Sequence, residues 1–301
     1  MNKRTINFFL VLSFLVSTTG IRAQDDDLLK LLGEEKPKKE RIKYAFKSPR
    51  VINSHSMEFL NPGTMDFRIL HRFGQVDQGY KNLFGLDQAS MRMGFDFGVM
   101  QNLMFGFGRS TYKKELDAFL KYAPIRQSTG PWSSPVTVAF VSGITMDGLP
   151  WADPSRKNFF TSKLGYYFEA IIGRKFSETF SLQVAPTMVH RNLVATEATP
   201  NNVYALGVGG RLKLSQRVAF TWDYSHVFIG MPDSGYYHPL SVGFDIETGG
   251  HVFQLHFSNS TGMNERAFIT ETTGRWGKAE VRFGFNLSRV FQIKKNKKHK
   301  E

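Results

Sequence analysis

Apolar and polar residues alternate one by one along most of the chain from about residue 64 onward. A period of two marks β-strands rather than helices. In 281–291, Val281, Phe283, Phe285, Leu287 and Phe291 share one face, opposite Arg282, Gly284, Asn286, Ser288 and Val290. Arg289 interrupts the apolar face only near the strand end, where a long side chain can reach lipid headgroups. The same alternation runs through 91–99, 218–225, 241–246 and 252–258, with Phe, Met, Val, Leu and Trp on one side and Gly, Asp, Arg, Ser and His on the other.

Period and turn signals predict about 12 strands, at 64–71, 89–99, 102–109, 114–122, 135–144, 161–173, 178–189, 202–213, 217–228, 239–247, 250–258 and 280–291. Beyond residue 24 no run of about 20 apolar residues offers a transmembrane helix. An apolar face toward lipid and a polar face toward a lumen is the pattern of an outer-membrane barrel, and lipid requires such a sheet to close on itself. The expected fold is therefore all-β, a transmembrane antiparallel outer-membrane β-barrel. An even strand count puts both termini on one side, read as the periplasm. The connections expected there are short except 123–134, whereas those opposite, 72–88, 145–160, 190–201, 229–238 and 259–279, are long; only 110–113 is short there.

The inward positions carry charge of both signs: Asp66, Arg68, Arg92, Asp96, Asp117, Lys121, Glu169, Arg211, Lys213, Asp223, Asp245, Glu247 and Arg282. Inward Gly at 94, 98, 106, 108, 207, 209, 243 and 284 leaves room for neighbours, for a plug, or for sheet curvature. Opposite charges in a small barrel pair across it, so a filled or narrow lumen is expected. An open pore with separated charged rows is the alternative.

Composition and charge refine this picture. The 301 residues include 28 Phe, 27 Gly and no Cys, which excludes disulfides, thiolate metal sites and a Cys nucleophile. The net charge is +13, but five lysines crowd Lys294–Lys300 and the body is nearly balanced. With an export signal and no binding motif, nucleic acid is not an expected partner. Lipid is, and the basic tail of 294–301 is expected near anionic envelope material.

The first 24 residues read as a signal peptide, with basic Lys3 and Arg4, an apolar Phe8–Val16 core and a cleavage site after Ala23. Residues 25–50 read as a periplasmic segment. Asp25–Asp27 precede Leu28–Leu32 and a stopping Gly33, about two helical turns, followed by a basic linker from Lys36 to Arg50. A plug, a docking peptide and an unstructured arm all stay open for this segment. The barrel is expected to occupy 51–293.

Chemistry is sparse. His55-Ser56 with Glu58, His256 near Ser258 and His226 beside Ser225 match fragments of a catalytic set, but none has a supporting motif. The histidines at 71, 190, 226, 238, 251 and 256 are dispersed, so no metal, cofactor or catalytic residue is assigned and no enzyme activity is expected. Two long loops stand out. One carries Leu83-Phe84-Gly85-Leu86-Asp87, apolar enough to pack; the other carries Gly262-Met263-Asn264-Glu265-Arg266, in which Arg266 lies between Glu265 and Glu271 and can clamp the loop inward. Phe84, Asp87, Asn264, Glu265 and Arg266 are the candidate lid residues.

Several motifs resemble a known family. Arg50–Ser56, His71-Arg72-Phe73-Gly74, Leu83–Asp87, Gly106–Ser110, Gly262–Arg266 and Phe283–Phe291 are similar to the membrane-bound β-barrel family of Bacteroidota called domain of unknown function 5777, over about residues 50–292. The resemblance implies an outer-membrane location and no catalytic role. Two functions are expected to compete: a narrow or gated channel for small polar solutes or ions, and a structural or interaction barrel that meets an envelope partner through residues 25–50 or the extracellular loops. The sequence assigns no oligomeric state.

Overall fold

A computed structural model describes residues 38–197, 199–231 and 235–294. Twelve antiparallel strands close into a barrel. They are β1 (Thr64–Gln75), β2 (Ala89–Met100), β3 (Leu103–Ser110), β4 (Leu116–Ile125), β5 (Thr137–Met146), β6 (Leu164–Lys175), β7 (Phe180–Arg191), β8 (Asn202–Lys213), β9 (Val218–Ile229), β10 (Leu240–Thr248), β11 (His251–Ser258) and β12 (Arg282–Gln292). Each strand pairs with its sequence neighbours, and β12 returns to β1 with Gln292 opposite Thr64 and Phe285 opposite His71. No edge is left, as lipid demands of a spanning sheet.

Every strand starts within three residues of its expected position. The largest late start has a local cause: Phe160–Lys163 forms a 3₁₀ turn, so β6 begins at Leu164 rather than at 161. Both barrel ends lie together, with the short connections; this is the turn end. The long connections gather at the opposite, loop end.

The alternation is realised as two faces. Phe105, Phe107, Leu120, Phe140, Phe168, Phe244 and Phe257 project outward and are exposed. Cross-strand aromatic pairs line this surface, with ring centroids 5.0 Å apart for Phe97–Phe105 and 5.7 Å for Phe95–Phe107. The inward face is not uniformly polar. From β3 to β9 it includes Met104, Phe119, Ala139, Val141, Tyr167, Ile171, Ala185, Val189, Val203 and Val227, all buried in one apolar cluster. The expectation of a polar lumen holds for one side of the barrel and not for this one.

The partners of that apolar wall come from both ends of the barrel. Residues 42–63 precede β1 and form a hairpin whose Ala45, Phe46, Val51, Met57 and Leu60 join the cluster. From the loop end, Phe268 and Ile269 of the short helix α1 (Glu265–Thr270) join it too. The boundary expected at residue 50, between a periplasmic linker and the barrel, therefore falls inside the hairpin. Residues 51–63 are not wall, and the last linker residues belong inside the barrel. The hairpin is tethered at the turn end, where Glu40–Arg41 pairs with Ser128–Thr129 in the long β4–β5 connection. The expected signal peptide, the 28–32 helix and the tail beyond Lys294 lie outside the described residues.

Candidate functional site

Charged, hydrogen-bonding and apolar groups converge in the lumen. At the apex of the hairpin the Val51 N–H donates to Ser54 O at 2.9 Å, and Ser56 N–H to Pro49 O at 2.9 Å. A tight turn leaves its own N–H groups pointing outward, and one wall carboxylate collects them. Asp223 Oδ2 accepts from the N–H of Ile52, Asn53 and Ser54 at 3.3, 2.7 and 3.0 Å, and from the Ser54 hydroxyl at 3.3 Å.

Wall amides and cations satisfy further backbone groups of the hairpin. Gln183 accepts from Met57 N–H at 2.8 Å and donates to His55 O at 2.6 Å. Asn286 donates to Ile52 O at 3.1 Å, and Gln254 donates to Val51 O. Arg72 donates to Asn53 Oδ1 at 2.6 Å and to Asn286 Oδ1 at 3.0 Å. Lys121 Nζ donates to Ser56 O at 2.5 Å and to Glu58 O at 2.7 Å. Buried backbone groups need partners, and here the barrel wall supplies them to a segment with no sheet of its own.

The expected lumen charges all lie on the inward face. Asp66 accepts from Arg68 at 2.6 Å and from the Ser288 hydroxyl at 2.6 Å, and Arg68 Nε lies 3.9 Å from Asp96. Arg92 grips Asp117 through two nitrogens at 2.8 and 2.5 Å. Gly94 and Gly108 flank that guanidinium, and a Cβ added at either would overlap it. Asp245 accepts from Gln254 at 2.6 Å. Glu247, at the turn end, meets Lys47 of the hairpin at 2.7 Å. Glu169 and Arg211 are buried without a shared partner, and Arg282 is half-buried near the loop end.

Sequence reasoning missed Arg50, Asn53, Arg72, Gln183, Gln254, Asn286 and Glu115. Four of these follow the inward period of their strands, so the signal was present. Uncharged polar side chains at inward positions carry no mark that sets them apart in the way that charges and glycines are set apart, and Arg72 lies one residue beyond the expected end of β1.

The lid residues divide. Asn264 Oδ1 caps α1 by accepting from Ala267 N–H at 2.9 Å, and Asn264 Nδ2 donates to Glu115 at 2.7 Å. Arg266 does clamp the loop, but between Glu115 at 2.7 Å and Glu271 at 2.6 Å rather than between its two sequence neighbours. Glu265 turns to the hairpin, where Arg50 donates to it at 2.9 Å. Burial raises the Glu115 carboxyl pKa despite Arg266 beside it. Burial acts the same way on Glu271, yet Arg266 and Lys113 outweigh it and hold that carboxyl below its ordinary range. Phe84 and Asp87 take no part: Leu83, Phe84 and Leu86 are exposed, and the expected packing of that loop does not occur.

The catalytic fragments do not assemble. Ser56 Oγ donates to Ser48 O at 2.6 Å, and Ser258 Oγ accepts from Ser241 at 2.9 Å. His55 is wholly buried against Phe119, with centroids 4.5 Å apart. No cluster of three metal-ligating side chains occurs among the described residues.

A family model described as "Membrane bound beta barrel domain (DUF5777)" matches residues 46–291, most of the hairpin included. No match is found among the curated proteins. Solved structures similar to the chain include the NanC porin, at 8% identity and a TM-score of 0.46, covering 77% of this chain and 100% of that one. The KdgM porin aligns at 7% identity and 0.46, covering 76% and 99%. The outer membrane protein Omp33 of Acinetobacter baumannii aligns at 8% identity and 0.41, covering 76% and 98%.

Proposed function

The chain belongs to the membrane bound beta barrel domain family (DUF5777), and from that premise we propose that it is an outer-membrane barrel held shut by its own hairpin, a gated and narrow conduit for small polar solutes or ions. The short turns and both strand ends face the periplasm in this reading, and the long loops face outward.

The asymmetry of the lumen carries the proposal. On the β3–β8 side the hairpin packs through Phe46, Met57 and Leu60 into an apolar cluster. Parting there would return apolar surface to water, at about 25 cal/mol per Å². On the β9–β2 side the seam is made of hydrogen bonds from Asp223, Gln254, Asn286 and Arg72. Water can take over such bonds, each with a net worth of about 1 kcal/mol between neutral groups and about 1.5–3 kcal/mol where Asp223 or Arg72 takes part. Opening therefore follows the polar seam, with the hairpin kept on the apolar wall. A path along that seam would be lined by Asp66, Arg68, Asp223 and Asp245, which suits hydrated ions and small polar solutes of either sign.

Planar-bilayer recording tests this. The full chain is expected to be mostly silent, and Asp223→Ala, which removes the acceptor shared by three apex N–H groups, is expected to show brief discrete currents. Silence from that variant and from one lacking residues 25–50, both folded by heat-modifiable gel migration, would overturn the conduit. The apolar core that locks the hairpin would then favour the second reading, a structural barrel that serves as a platform for an envelope partner.

A further inference from the structure

At the loop end, beside α1, a cavity of about 400 Å³ lies between the β5–β6 and β7–β8 loops. It is separate from the hairpin seam. Lys113, Lys163, Arg191 and Arg266 line it against Asp147 and Glu271, and Glu115 sits behind Arg266. Cations exceed acids even with Glu115 included.

Two of these cations are incompletely satisfied by protein. Arg266 is buried and spends Nε on Glu115 and Nη1 on Glu271, yet its Nη2 has no hydrogen-bond partner. Arg191 donates through Nη2 to Pro200 O at 2.8 Å, while its buried Nε has none. A buried guanidinium N–H left unmatched is costly, and an acceptor supplied by a ligand would remove that cost. The other walls are apolar or aromatic. Leu149, Leu193 and Val194 contribute aliphatic surface, and Trp151 carries Lys163 Nζ over its ring at 4.5 Å.

We propose that this cavity binds a small organic anion, a single carboxylate or phosphate head on an apolar or ring-shaped body. The head is recognised by Arg191 and Arg266, with Lys163 adding positive potential, and the body rests on Trp151 and the aliphatic wall. Binding here requires no movement of the hairpin, so it stands or falls separately from conduction.

The test is isothermal titration of the full chain, refolded in detergent and checked by heat-modifiable migration. Benzoate and phenyl phosphate serve as probes for the two head groups. Benzamide supplies the ring without charge, and inorganic phosphate the charge without a ring. At least one of the first two is expected to bind saturably, and both controls about tenfold or more weakly. Arg191→Gln should weaken that binding by about tenfold, and Arg191→Lys by less, because the charge persists. Lys163→Gln, in an exposed loop, gives a second reading if the Arg191 variants do not fold. Equal binding of benzamide and benzoate, indifference to both substitutions, or no saturable heat from any probe would overturn the proposal.

Discussion

Arg50 and Glu265 meet at 2.9 Å although 215 residues separate them along the chain. Arg50 rises on the hairpin from the turn end, and Glu265 descends with α1 from the loop end. Both side chains are about 1% exposed. The pair therefore joins the two plugs of the barrel at its middle. His55 Nε2 lies 3.6 Å from the same carboxylate.

Removing one member of this pair leaves the other charge buried and alone. Arg50→Met or Glu265→Met should each cost about 3–5 kcal/mol, while the double substitution should cost much less than their sum. Urea titration of the folded band on heat-modifiable gels measures all three. Additive losses would mean that the two plugs are anchored independently and the pair couples nothing.

Glycines at two inward positions define how closely Arg92 lies against the wall. Gly94→Ala or Gly108→Ala must displace the guanidinium from Asp117. Crowding of this kind costs about 1–3 kcal/mol. Gly250, in the β10–β11 turn, has open space around it, so Gly250→Ala is the matched control. The inward variants should lower the urea midpoint while the control leaves it within error. Equal effects would show that Arg92 shifts freely.

Acid should loosen the loop-end plug through Glu271. Its carboxyl is held below the ordinary glutamate value in the folded barrel: burial would raise it, but Arg266 and Lys113 hold it down. A group depressed on folding contributes stability above its unfolded pKa and loses it as pH falls through the folded value. Glu115 works in the opposite sense. Its burial-raised pKa gives stability that is full in acid and declines as pH rises through the folded value. The Glu271 contribution should accelerate pepsin digestion within 259–281 below about pH 4.5, relative to an unfolded substrate, and comparison with a Glu271 variant isolates it from the opposing Glu115 contribution. Glu271→Gln should flatten that rise. An unchanged profile in the variant would remove Glu271 from the clamp.

The barrel itself was legible because its wall obeys a period of two, and a one-residue slip in register would move Phe283 or Phe107 into the lumen. Turn chemistry placed the strand ends, and the inward charges followed from the same parity. The hairpin was not legible in the same way. Residues 42–63 have no period, since their backbone is satisfied by Asp223, Gln183, Asn286 and Lys121, side chains far away in sequence. Nor could parity alone show that Val141, Tyr167 and Ile171 are a binding surface for the hairpin, because apolar residues at inward positions look like interruptions of a polar face. The clamp on Arg266 was half visible: Glu271 lies five residues away, whereas Glu115 comes from a loop between β3 and β4.

The absence of cysteine makes closure of the lumen directly measurable. Ser56 is wholly buried in the hairpin, whereas Ser155 lies exposed in the β5–β6 loop. Single variants Ser56→Cys and Ser155→Cys carry one thiol each. A charged, membrane-impermeant maleimide should label the Ser155 position rapidly and the Ser56 position at least about a hundredfold more slowly, if the closed form is favoured by about 3 kcal/mol or more. Combining Ser56→Cys with Asp223→Ala removes the acceptor for three hairpin N–H groups. Labelling of Ser56→Cys should then accelerate, because the open form is populated more often while the barrel stays folded. Rapid labelling without the second change would show that the hairpin does not close the lumen at rest. Slow labelling in both would show that the apolar wall, not Asp223, holds it in place.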